Sequence, residues 1–178
     1  MTVGRRVLVA GVGNIFFGDD GFGPEVLRGV AARSLPPGVR AVDFGIRGTH
    51  LAYELLDGWG ALLLVDAVPD RGEPGALRAF EVGSDSVPAA PLDAHSMDPG
   101  AVFASLRALG GTLPRTVVLG CQVENTGEGI GLSPRVEAAV GPAVDMVFEV
   151  VDQLLESDSD QQLESDSAAT LQPDGTEG

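Results

Sequence analysis

The sequence predicts an open α/β sheet, and three observations carry the prediction. The apolar run Val7-Leu8-Val9-Ala10 stops at Gly11-Val12-Gly13, turns through Phe16-Phe17, and delivers Asp19 and Asp20 to the start of a helix. A strand feeding a glycine turn and then a helix is the opening unit of such a sheet. A further apolar run, Ala61-Leu62-Leu63-Leu64-Val65, again ends at an aspartate, Asp66. Gly75 to Val82 alternates apolar and polar residues, the pattern of an antiparallel edge strand with one face exposed. Ligands of open α/β sheets bind outside the carboxyl ends of the strands, so Asp19, Asp20 and Asp66 are expected at the mouth of a site.

Taken in order, Arg5 to Ala10 is a central parallel strand, apolar on both faces. Gly23 to Ala32 is a helix carrying Phe22, Val26, Leu27 and Val30 at helical spacing, with Pro24 in its first turn, where a missing N–H costs little. Pro36-Pro37-Gly38 breaks the chain before a strand from Val39 to Phe44. Thr49 is placed to cap a short helix bearing Leu51, Ala52, Leu55 and Leu56, which Asp57-Gly58-Trp59-Gly60 closes. Ala61 to Asp66 and Gly75 to Val82 supply two more strands. After a loop to Asp93 and the segment Ala94 to Met97, Asp98-Pro99 signals a helix through Leu109. Thr116 to Val123 is the last strand, and Ser133-Pro134 opens a helix to about Leu155. From Glu156 the chain is acidic and of low complexity, with Leu-Glu-Ser-Asp-Ser occurring twice. Disorder is expected over 156–178, outside a single domain of residues 1–155.

Composition narrows the function classes. All eleven basic residues are arginines; against 26 acids they leave a net charge of −15, which argues against nucleic acid or an anionic membrane as partner. Seven of those acids lie beyond Leu155, so the body of the chain is only moderately acidic. No apolar run approaches the roughly 18 residues of a spanning helix, and the N-terminus lacks signal-peptide features; a cytoplasmic monomer is expected. The single cysteine, Cys121, allows neither an intramolecular disulfide nor a paired-cysteine metal site. Its setting, Val117 to Val123, is that of a buried small apolar residue.

The glycines of Gly11-Val12-Gly13 fall short of a dinucleotide fingerprint, because Phe16 stands where the third glycine belongs. No lysine is present for a phosphate-cradling loop, so no nucleotide cofactor is expected. Asn14 is suited to bracing the turn. Asp19 and Asp20 point about 100° apart at a helix start; one is expected to cap backbone N–H groups and the other to face the crevice. Asp66 ends an apolar strand, where desolvating a carboxylate calls for a purpose or a hydrogen-bond network. Of the two histidines, His50 lies among apolar neighbours and is assigned to packing, whereas His95 sits in a polar loop before a helix. Two carboxylates and an imidazole from three loops on one sheet edge form an open divalent metal site, with donors that suit nickel, zinc or manganese.

In combination, Gly11-x-Gly13-Asn14, Asp19-Asp20-Gly21-x-Gly23-Pro24-x-Val26, Asp43-Phe44-Gly45-Ile46-Arg47-Gly48, Val65-Asp66-Ala67 and His95 resemble the [NiFe]-hydrogenase maturation proteases. The resemblance runs from about Val7 to Leu155 and includes Gly129-Ile130-Gly131-Leu132-Ser133-Pro134. It implies a three-layer α/β sandwich: a twisted, mainly parallel five-stranded sheet between helices. It also implies an endopeptidase that removes a C-terminal extension from the hydrogenase large-subunit precursor after nickel insertion. The metal-contacting positions of the family match Asp20, Asp66 and His95, and the nickel is supplied by the precursor. Asp20 stands where many members carry Glu. Asp43-Phe44-Gly45 matches the family's Asp-x-Gly element, with Ile46 in place of its threonine. Asp43 is therefore a candidate catalytic base, alongside an unligated carboxylate or a metal that polarises the carbonyl or activates water. Two other readings keep the same residues: a nickel-sensing maturation chaperone without protease activity, and an unrelated metal-dependent hydrolase.

Overall fold

Five strands form one sheet in the order β2-β1-β3-β5-β4. The computed structural model describes residues 5–83 and 99–169, with side chains as far as 157. In chain order the elements are β1 (Val7–Val12), α1 (Phe22–Ala31), β2 (Val39–Gly45), α2 (Gly48–Glu54), β3 (Ala61–Val68), β4 (Leu77–Val82), α3 (Pro99–Ala108), β5 (Arg115–Gln122) and α4 (Pro134–Ala169). Strands β2, β1, β3 and β5 are mutually parallel, and β4 closes the β5 edge antiparallel, as the alternation over Gly75 to Val82 predicts.

Strand β1 is buried along its whole length, and its side chains divide the core by simple alternation. Val7 and Val9 join Leu63 and Val65 beneath α1 and α4, with Phe22, Val26, Leu27 and Val30 as the α1 contribution. Leu8, Ala10 and Val12 join Leu62 and Leu64 beneath α2 and α3, with Leu51, Ala52, Phe103 and Leu106. The sheet is therefore covered on both faces, giving the expected three layers.

Helix α1 lies unusually close to the sheet because glycines leave room for backbone. A Cβ on Gly23 would run into the Val12 carbonyl and reach within 2.6 Å of the Val65 carbonyl; one on Gly13 would run into that of Asp20. Since backbone cannot yield as a flexible side chain does, Gly23→Ala is expected to destabilise the protein by about 1–3 kcal/mol. Chemical denaturation of that variant reads the loss directly.

Local details depart from expectation in three places. Thr49 does not cap α2: the helix begins at Gly48 with Arg47 as its flanking residue and no side-chain cap. Arg47 is held there by its own guanidinium, which donates to the Asp43 carbonyl at 2.7 Å and the Phe44 carbonyl at 3.2 Å. His50, assigned to packing, is exposed, because α2 buries Leu51 and Ala52 and turns its neighbour outward. Helix α4 continues past Leu155 to Ala169; no glycine or proline interrupts the chain between Gly141-Pro142 and Pro173. Asp98, the expected cap of α3, lies outside the described residues, and Pro99 is the first residue of that helix. No helix among the described residues is long and apolar enough to cross a membrane.

Candidate active site

The sheet order makes the gap between β1 and β3 the topological switch point: from β1 the chain crosses to β2 on one side, and β3 then pairs on the other. Crevices at such points, outside the carboxyl ends of the strands, are where open α/β sheets bind ligands. Asp20 follows β1 in a single 3-10 turn (Gly18–Gly21) that leads directly into α1. Asp66 lies in β3, one residue beyond the carbonyl against which Gly23 packs. Both carboxylates therefore belong to this edge.

The adjacent aspartates have separate tasks. Asp19 is fully buried. Its Oδ2 accepts the backbone N–H groups of Glu124 and Asn125, each at 2.8 Å, and the Ser133 hydroxyl at 2.8 Å; Oδ1 accepts Ser133 N–H at 2.7 Å. Burial alone pushes its carboxyl up, but the donors of Asn125, Ser133 and Glu124 outweigh it and hold the group below its usual 3.8. Asp19 thus caps backbone N–H groups as one of the pair was expected to, but they belong to the loop after β5. Neither aspartate caps α1, whose flanking residue is Gly21 without a side-chain bond.

Asp20 is half-buried. Its Oδ2 accepts Asn14 N–H at 2.8 Å, and Oδ1 has no hydrogen-bond partner among the described residues. Asn14 braces the turn as expected, its Oδ1 accepting Phe16 N–H at 3.0 Å. Backbone bonds then stitch this turn to the loop after β5: Gly18 N–H to the Gly129 carbonyl and Gly129 N–H to the Phe16 carbonyl, both 2.8 Å. The result is a braced double loop that exposes Ile15, Phe16, Phe17 and Ile130, the last 78% accessible.

Asp66 is 8% exposed. Alternation along β3 puts it on the same side as Leu62 and Leu64, towards α2 and α3. Asp43 lies on the other side. It pairs with Gly11 in the last regular step before a bulge between β1 and β2, and its exposed carboxylate accepts Gly45 N–H at 2.8 Å. It lines a cleft of about 720 Å³ between α1, α4 and the braced loops, together with Ile15, Glu25, Arg28 and Ile130. The structure thus brings Asp20 and Asp66 to one edge and sets Asp43 apart from Asp66 across the sheet. His95 lies outside the described residues. Among the described residues no three His, Cys, Asp or Glu side chains form a metal-holding group.

Cys121 is buried as expected, and its thiol is pushed up to about 11 by burial and then by the Asp19 charge, so it is not a nucleophile. The role of Asp19 is invisible to local sequence reasoning, since its partners are 105 to 114 residues away.

The family model that matches residues 24–150 describes a hydrogenase maturation protease. The chain is 32% identical over 159 residues to the delta subunit of coenzyme F420 hydrogenase of Methanothermobacter thermautotrophicus, across 85% of this chain and 98% of that one. To the hydrogenase 2 maturation protease of Escherichia coli it is 30% identical over 147 residues, across 80% and 88%. Its fold is similar to that of the E. coli hydrogenase maturating endopeptidase HybD, with a TM-score of 0.72 at 27% identity, across 84% and 93% of the two chains.

Proposed function

Because the chain belongs to the hydrogenase maturation protease family, we propose that it is an endopeptidase of the cytoplasm that removes the C-terminal extension of a [NiFe]-hydrogenase large-subunit precursor after nickel insertion. The observation that supports the site is that Asp20 follows β1 and Asp66 lies near the carboxyl end of β3, the two strands that flank the switch point. Among the described residues one carboxylate oxygen of Asp20 has no hydrogen-bond partner, which supports its reading as a donor to an external ligand. In this reading nickel is part of the substrate: it arrives held by the precursor's cysteines and meets Asp20, Asp66 and His95. Oxygen and imidazole donors suit a borderline first-row metal of that kind. The contact reads whether the precursor is loaded and positions the scissile peptide at the crevice. Proton transfer from the attacking water falls to a carboxylate, Asp43 or an unligated oxygen of the pair.

The exposed apolar side chains of the braced loops support a protein-sized substrate, since apolar groups gathered at a site mouth favour macromolecular contact. The Asp19 bonds tie the turn after β1 to the loop after β5. The experiment is a mass measurement of the precursor after incubation with the full chain. Nickel-loaded precursor is expected to lose its extension, and nickel-free precursor to stay intact. A complex without shortening in the nickel-loaded arm overturns the protease reading and favours the chaperone.

A further inference from the structure

A second pocket, of about 290 Å³, opens on β3, β4 and β5 and is lined by Val68, Arg71, Arg78, Phe80, Gly120 and Gln122 among others. We infer that it seats a carboxylate of the peptide the precursor loses, an inference that rests on the proteolytic reading above.

Charge supplies the first argument. In a chain with 26 acids and 11 arginines, a guanidinium readily finds an internal acid: Arg28 is paired with Glu25, Arg33 with Asp145, Arg40 with Glu54 and Arg115 with Glu81. Arg71 and Arg78 are both exposed in one pocket, and no ion pair engages either guanidinium among the described residues. Asp70, on the same loop, is turned back onto Gly72 N–H at 2.7 Å. Paired guanidiniums present forked donors that match a carboxylate.

Gln122 adds a third donor by elimination. Its Oε1 accepts Arg71 N–H at 2.9 Å and Glu73 N–H at 3.1 Å. With the oxygen held there, the amide NH₂ is directed away from those bonds, and the pocket wall is pinned to β5. The floor is apolar, from Val68 and Phe80, which strengthens a charged contact by excluding water.

Register ties the pocket to the candidate active site. Asp66 pairs with Gly120 of β5, and Gly120 pairs with Arg78 of β4. Asp66 and Arg78 therefore stand in one row on one face, about 10 Å apart at two strand spacings, with only a glycine between them. An extended peptide leaving Asp66 covers that span in about three residues. At the opposite end of β5, away from the pocket, Arg115 donates to Ser157 of α4 at 2.7 Å.

The test uses the full chain, a nickel-loaded [NiFe]-hydrogenase large-subunit precursor, and a synthetic peptide copying that precursor's C-terminal extension. The Arg71→Ala/Arg78→Ala variant is expected to raise KM about tenfold with kcat within about twofold, as loss of charge-assisted binding requires. Arg135→Ala serves as an exposed control. Fluorescence anisotropy reads binding without catalysis: the free-acid peptide is expected to bind wild type more tightly than the double variant. If amidation of its C-terminus removes that difference, the terminal carboxylate is the ligand; if Asp/Glu→Asn/Gln changes in the peptide remove it, a side-chain carboxylate is. Equal binding of all peptides to both proteins, with unchanged KM, overturns the pocket while leaving the protease reading intact. Carboxylate-dependent binding without precursor cleavage overturns the protease reading and leaves the pocket standing.

Discussion

Alanine at Asp20 or Asp66 is expected to cut cleavage of nickel-loaded precursor by at least about a hundredfold, or about 2.7 kcal/mol of transition-state stabilisation. Each change removes an anionic donor from the switch-point crevice. Among the described residues Asp20→Ala removes one side-chain bond, that from Asn14 N–H, worth about 1 kcal/mol. The rate loss would thus far exceed any loss of folded protein. Asp66→Asn separates charge from shape, since the amide fills the same buried volume without the negative charge. Single-turnover cleavage read by mass, beside a thermal melt of each variant, makes the distinction. Wild-type rates for both alanine variants would sink the site. Asp43→Asn is the informative contrast, because Asp43 lies across the sheet in the α1–α4 cleft. A modest loss there assigns it to peptide binding, and a hundredfold loss makes it the base.

The second large effect is on stability. Asp19→Ala strands three backbone N–H groups and a hydroxyl that now converge on one buried carboxylate. Unsatisfied buried donors of this kind are costly, and the expected loss is about 3 kcal/mol. For a chain of this size that lowers the melting temperature by roughly 6–12 °C. The pH dependence has a definite sign. The folded carboxyl titrates below its usual 3.8, so the unfolded state binds the proton first as pH falls. The stabilisation from Asp19 is complete above that ordinary value and disappears as pH drops through the lowered one. The gap between wild type and Asp19→Asn should accordingly be wide near neutrality and narrow in acid. A gap independent of pH would show that the charge is not what holds the loop. Because the same bonds brace Phe16, Phe17 and Ile130, partial unfolding of this loop should also weaken precursor binding.

Much of this architecture is legible in order along the chain. Apolar runs such as Ala61 to Val65 specify buried parallel strands, and Leu77 to Val82 alternates as an antiparallel edge strand does, because side-chain direction has a period of two in a strand. The buried stripe of α1, with Phe22, Val26, Leu27 and Val30, follows from its 3.6-residue period. Helix ends are less legible. Thr49 has the right chemistry for a cap, yet the guanidinium bonds of Arg47 start α2 earlier. The bounds of α4 fail for a related reason: charge and low complexity do not stop a helix that meets no breaker before Pro173.

By itself the sequence determined the order and type of the elements and the aspartates that follow β1 and stand near the carboxyl end of β3, although β3 runs two residues past Asp66 to Val68. Those properties follow from local periodicity and from turn chemistry. Only the tertiary structure decided that Asp19 is a brace for a loop more than a hundred residues away, while Asp20 accepts only the Asn14 N–H among the described residues. It alone decided, too, that Asp43 and Asp66 stand on opposite sides of the sheet, and that Arg78 lines up with Asp66 across Gly120. Each of these depends on strand register or on hydrogen bonds between segments far apart in the chain. A residue's type limits what it can bond, but register and chain crossing determine which partner it meets.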